Sequence, residues 1–342
     1  MSFIIQLYLL QPEKTTGGCW KLSTGNSKNK PEFTFIDLFA GIGGIRKALE
    51  NVGGECVFAS EWDEKARITY QANFDELPAG DIKKIKPAEI PSHDVLAAGF
   101  PCQPFSLAGI SKKESMNRPV GFKDPEQGRS FFQILKIVKE KKPKAILLEN
   151  VKHLRNHNRG KTYKTIERSL KKLGYDVHDE ILDAKYLVPQ HRERLFIVAF
   201  RKKTDFKFPA FRNGNTKKLK EILESKPDKK YTLTPGVWNA LKKHSAKHRK
   251  KGNGFGYKIA DPHGITRTLS ARYYKDGAEI LISQGRGKRP RRLSPRECAR
   301  IMGYKDSFKF EQVSDNQAYK QLGNSVVIPL VECIARKMVK HL

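Results

Sequence analysis

The sequence predicts an α/β fold: a doubly wound, mostly parallel sheet with a small loop-rich domain inserted near its C-terminal end. Three observations predict it. A β-type run, Phe33 to Leu38, enters a turn with three glycines in four residues, and a helical pattern, Ile45 to Asn51, leaves it. Strand and helix patterns then alternate as far as Phe200. Beyond that, apolar runs become scarce, turn residues multiply and basic charge accumulates until Arg291. The expected division is an appendage over 1–32, a catalytic α/β domain over 33–200, an inserted domain over 201–290, and a return to the first domain over 291–342.

The first turn, DLFAGIGG, spans Asp37 to Gly44. Glycines let the backbone adopt positive φ and approach a ligand, while the helix N-terminus offers free N–H groups. An ordinary tight connection would look similar. However, the spacing is F-x-G-x-G-G, not the dinucleotide G-x-G-x-x-G, and Glu61 lies 20 residues past Gly41, after a second strand, Glu55 to Ser60. A ribose-binding carboxylate belongs there. Together these predict a site for a single nucleoside, S-adenosylmethionine, with Phe39, Ala40, Gly41, Gly43 and Gly44 around it. Trp62 would stack on adenine; without its acidic neighbour it would read as a core aromatic. Asp81 and Ile82, behind a Pro-x-Gly turn, are expected at a third strand end, with Asp81 accepting from the adenine amino group.

A strand from His93 to Phe100 runs into Pro101-Cys102-Gln103-Pro104. Two prolines fix the backbone around a thiol, the nucleophile suited to adding to an electron-poor carbon and leaving again. Residues 106–127 are polar, glycine-bearing and basic, and are expected to form a mobile lid. A helix from Arg129 to Lys141 precedes a buried strand, Lys144 to Leu148, that ends in Glu149-Asn150-Val151. A carboxyl at the end of so apolar a strand could hold a proton at neutral pH, although a salt-bridged or helix-capping Glu fits the position equally. A helix (Thr162 to Leu173) and two strands (Tyr175 to Leu182, Leu195 to Phe200) follow. Just before the second strand, Arg192 and Arg194 alternate in period two, so they share a face and can converge on a phosphate or base carbonyl, unless they form a solvated charged edge.

Composition narrows the partner. The 342 residues carry 66 Lys+Arg against 36 Asp+Glu, a net charge of +30, and +19 of it lies between Arg201 and Arg292. Such self-repulsion points to a polyanion, with nucleic acid ahead of a membrane surface. The five cysteines form no C-x-x-C pair, which argues against a zinc site and a disulfide framework and predicts a reducing, cytoplasmic setting. The apolar start, MSFIIQLYLL, lacks a positive flank and a membrane-spanning length, so no membrane association is expected.

DLFAGIGG, EWDE, GFPCQPFS, ENVKHL, QHRERLFIV, RRLSPRECARIMGY and QAYKQLGNSVV, in this order, resemble the C5-cytosine DNA methyltransferases from about Phe33 to the C-terminus. The resemblance implies a Rossmann-like S-adenosylmethionine-dependent fold, with Cys102 adding to cytosine C6 and protonated Glu149 bonding N3. It also implies that Arg192 and Arg194 orient the base and thiolate, and that Pro101, Asn324, Ser325 and Val326 line the cofactor side. The inserted domain would be the target-recognition domain. Its YTLTPGVW, GNGFGY and TRTLSARYYKDGAEILI stretches resemble bacterial enzymes acting on the inner cytosine of CCWGG or CCNGG. Expected DNA contacts are Gln103, Ser106, Arg267, Arg272, Tyr273 and Lys275, with the cluster from His244 to Lys251 on phosphate. The implied partners are double-stranded DNA and a cognate restriction endonuclease, with the enzyme itself monomeric in a bacterial or phage-infected cell. The lid departs from the family pattern at Gly128-Arg-Ser-Phe-Phe.

Overall fold

The computed structural model describes residues 31–101, 128–211, 217–253 and 255–342. Cys102, Gln103, Ser106, the 106–127 loop and most of the N-terminal appendage lie outside the described residues.

Six strands form the main sheet: β1 (Phe33–Leu38), β2 (Gly54–Ser60), β3 (Val95–Gly99), β4 (Ala145–Val151), β5 (Asp176–Asp183) and β6 (Glu193–Phe200). Their order is β2-β1-β3-β4-β6-β5. The pairs among β2, β1, β3 and β4 are parallel, and β6 runs antiparallel to both β4 and β5. Parallel pairing needs crossovers that cover both faces, which is why the central strands are mostly apolar on both faces. Odd residues of β1 and β4 (Phe33, Phe35, Ala145, Leu147) face one hydrophobic cluster. Even ones (Ile36, Leu38, Ile146, Leu148) face the other.

The first face is covered by α1 (Gly44–Glu50) and, returning from the chain's far end, α8 (Ile328–Met338). The second is covered by α3 (Gly128–Lys141) and α4 (Lys161–Lys172). Helix α2 (Glu64–Phe74) follows β2, with Asp63 capping its N-terminus by accepting from the N–H groups of Lys65 and Ala66. The third strand expected before Asp81 does not form. Only one bridge, Ser60 to Ala79, is made, and a 3-10 turn over Ile82–Lys84 follows. Pro78 and Gly80 flank Ala79 and give the chain no run of β-forming residues to extend it.

The inserted stretch contains α5 (Pro235–Lys250) and β7 (Leu281–Ile282), which pairs with β8 (Arg291–Arg292). It shares the core of the main sheet: Leu219, Ile222, Leu269, Tyr273 and Ile280 belong to the same cluster as Phe35 and Val198. A small cluster of its own, Leu233, Leu241 and Leu281, holds α5. The chain returns through α6 (Pro295–Ile301) and α7 (Asp315–Asn324). No described helix is long and apolar enough to cross a membrane.

Candidate active site

The glycine turn adopts the strained path its composition allows. Gly41 and Gly43 have φ of +56° and +81°, and Phe39, which is not glycine, has φ of 57°. A bulky residue in that region costs on the order of 1–2 kcal/mol and persists only where its surroundings hold it. Gly44 is needed for a different reason. A Cβ there would meet Ser325 Oγ at 2.7 Å and Tyr304 Oη at 2.8 Å. The turn is therefore pressed against the C-terminal segment.

Glu61 braces the turn from the end of β2. Its Oε2 accepts from Gly41 N–H (2.8 Å) and its Oε1 from Asp63 N–H (2.7 Å). Burial raises its carboxyl above the ordinary value, against these two bonds. Beneath the turn, Asp37 is fully buried; its Oδ2 accepts from Arg46 N–H (3.2 Å), while Oδ1 has no partner. Burial pushes the Asp37 carboxyl up to about 7.

A cavity of about 370 Å³ opens at the carboxyl ends of β1 to β4, where an open α/β sheet places its ligand. Phe39, Ala40, Gly41 and Gly44 line it from the turn, and Glu61 and Trp62 from the end of β2. Pro101 closes it after β3, and Asn324, Ser325 and Val326 form the C-terminal wall. Trp62 stands 69% exposed among the described residues. Gly43, Asp81 and Ile82 do not line the cavity. Gly43 packs on Phe74 and Tyr70, Ile82 is in the core, and Asp81 caps the 3-10 turn through Lys83 N–H.

Glu149, Arg192 and Arg194 line the same cavity. Glu149 pairs in register with Gly99, two residues before Pro101, so β3 and β4 bring the Pro101 segment beside this carboxyl. Burial raises the Glu149 carboxyl, and Arg194 and Arg192 oppose the rise. Arg194 Nε lies 3.1 Å from Glu149 Oε1. Asn150, next in the chain, donates from Nδ2 to Phe100 O (3.0 Å) and fixes the approach to Pro101.

Arg192 is a strut. Its Nη1 donates to Leu269 O (2.8 Å), and its Nη2 donates to Gly323 O (3.0 Å) and Ser325 O (2.6 Å). One buried guanidinium thus ties the inserted stretch to the wall of the cavity. Gln190 joins it, accepting on Oε1 from Leu269 N–H (2.7 Å). Sequence reasoning assigned no role to Gln190, Asn150, Tyr304 or Lys320, whose Nζ meets Asp63 Oδ2 at 2.8 Å on the cavity rim. For the first two, the flanking motifs were the available signal.

Arg267, Arg272 and Lys275 are exposed, as a DNA-contacting role requires. Tyr273 corrects the expectation: it is fully buried, and its hydroxyl donates to Ile280 O (2.7 Å) and accepts from Leu293 N–H (2.7 Å). It supports the loop from within. No group of three metal-ligating side chains occurs among the described residues.

Residues 33–340 match the family model for C-5 cytosine-specific DNA methylase. The chain is 45% identical to the DNA-cytosine methyltransferase of Escherichia coli, over 89% of this chain and 77% of that protein. It is 47% identical to type II methyltransferase M.DsaV of Dactylococcopsis salina, over 92% and 88%. The S. pombe Dnmt2 methyltransferase structure superposes with a TM-score of 0.73 at 21% identity, over 90% of this chain and 98% of that one, which supports the fold. The chain belongs to the C-5 cytosine-specific DNA methylases, enzymes that take their methyl group from S-adenosylmethionine.

Proposed function

We propose that this enzyme methylates C5 of a cytosine flipped out of duplex DNA, at the inner cytosine of CCWGG or CCNGG, as a monomeric modification methylase of a restriction-modification system. The observation that carries the reading is the convergence of Glu149 and Arg194 with the glycine turn, Glu61 and Trp62 on one cavity. The type II names among its relatives support the restriction-modification context. The division into catalytic (33–200 and 291–342) and recognition (201–290) parts belongs to the same proposal.

The cavity residues fit the methyl donor. Glu61 keeps acceptor capacity beyond its two backbone bonds for ribose hydroxyls, and Trp62 offers an exposed ring face to adenine. S-adenosylmethionine supplies an electrophilic methyl group on a sulfonium sulfur. The chain supplies the activation of cytosine, whose C5 is too weak a nucleophile unaided. Glu149, whose carboxyl burial raises above its ordinary value, donates its carboxyl proton in a hydrogen bond to N3, and Arg194 fixes that carboxyl. Cys102 is the proposed nucleophile for C6; its bond makes C5 electron-rich and is broken again by elimination when the C5 proton leaves. Because C6 is inaccessible within a duplex, the base must leave the stack. Arg192 holds the recognition stretch against the site and touches no substrate in this account.

Labelled methyl transfer to duplex DNA and to tRNA, with Cys102→Ala as control, tests the reading. Transfer to duplex only, lost in the variant, is expected. Transfer to tRNA only would overturn it.

A further inference from the structure

Helix α5 is held by one stripe, Trp238, Leu241, Ser245 and His248, and much of that stripe packs on the turn that follows it. The Trp238 and Tyr257 rings sit 4.7 Å apart. Gly256 lies so close that a Cβ would stand 2.5 Å from Ser245 Oγ. His248 Nδ1 and Asn253 Oδ1 are 2.9 Å apart, and the His248 ring meets the Phe255 ring edge-on at 5.6 Å. This scaffold holds Phe255 outward at 66% exposure, beside exposed Lys247, Arg249, Lys250 and Lys251.

The turn is also tied to the catalytic loop. Arg267 Nη1 donates to Gly256 O (3.4 Å), Thr266 N–H to Pro189 O (2.9 Å) and Thr268 Oγ1 to His191 O (2.6 Å). A flat apolar ring fixed among cations, a few residues from the loop that carries Arg192, suits a polyanion whose interior offers flat apolar faces. Nucleic-acid bases are that chemistry.

We propose that Phe255 stacks on a base at an opened step of bound duplex DNA, while the end of α5 holds the adjoining phosphates. The inference rests on the duplex substrate proposed above. It separates two kinds of contact that differ in salt dependence: phosphate contacts release counterions and stacking does not.

The test is fluorescence anisotropy of the full chain with a duplex carrying one CCAGG site, across a salt series. Phe255→Ala should weaken binding about tenfold or more with the salt slope unchanged. Phe255→Trp should restore it and Phe255→Leu should not, whereas Arg249→Ala should flatten the slope by about one. Exposed Phe255 can be replaced without opening the core. Wild-type affinity in Phe255→Ala, or equal rescue by Leu and Trp, would overturn the stacking role. A wild-type chain that binds no duplex would instead remove the substrate proposal, and this inference with it.

Discussion

Gly323→Ala should damage the enzyme through packing at the cavity wall, with no chemical group removed. Gly323 lies in α7 against the backbone of the inserted stretch. A Cβ there would meet Ser270 O at 2.3 Å, Ser270 C at 2.4 Å and Ala271 N at 2.5 Å. Ordinary contact begins near 3.4 Å, so one backbone must move by roughly 1 Å, and neither is the tip of a flexible side chain. Overpacking of this kind costs about 1–3 kcal/mol, with main chain on both sides placing it at the upper end. The displacement falls on Asn324 and Ser325, which wall the cavity, and on the carbonyls that Arg192 bridges. A misplacement of about 1 Å in a reacting geometry can cost on the order of 10²-fold. The expected result is a loss of about that size in kcat/KM for methyl transfer and a Tm lower by several degrees. Gly236→Ala, in α5 with nothing within 4 Å, should change neither. A Gly323→Ala enzyme with wild-type rate and Tm would refute the packing argument.

Four further outcomes follow from the site. Glu149→Gln should lower kcat by about 10²- to 10⁴-fold with cofactor affinity retained, because the general acid is lost while the turn and Glu61 are untouched; an unimpaired kcat would remove Glu149 from the chemistry. Wild-type rate should also fall on the alkaline side as the raised Glu149 carboxyl deprotonates. Trp62→Ala should weaken S-adenosylmethionine binding about tenfold by calorimetry, the order of a lost aromatic stack, with Tm unchanged since the ring is 69% exposed. For Asp37, the folded carboxyl sits at about 7 against an ordinary 3.8. Its contribution to stability is therefore complete below about pH 4 and is lost as pH rises through about 7. The stability difference between Asp37→Asn and wild type, from denaturant melts, should move in favour of the variant over that window; a pH-independent difference would contradict the burial argument.

The parts of the fold legible in the sequence are those the chain settles locally. The glycine turn, the strands on either side of it and Glu61 depend on residues fewer than 30 apart, and a strand buried on both sides betrays itself by mostly apolar composition. The end of β4 could be read as a place where a carboxyl would be desolvated, but its pairing with Arg194 comes from the register of β4 with β6. Arg192 was read as touching substrate because period-two spacing places it with Arg194. Its guanidinium also bonds carbonyls 77 to 133 residues away in sequence, which leave no local mark. Tyr273 misled for the opposite reason. An aromatic among exposed cations resembles a base contact, and only the closure of Ile280 and Leu293 around its hydroxyl shows it to be core.

Bisulfite sequencing of plasmid DNA from cells expressing the full chain, compared with Cys102→Ala, tests the central claim most directly. The account predicts 5-methylcytosine at the inner cytosine of CCWGG or CCNGG with the wild type and none with the variant. Soluble wild-type protein that binds S-adenosylmethionine yet leaves every cytosine of that DNA unmethylated would contradict it.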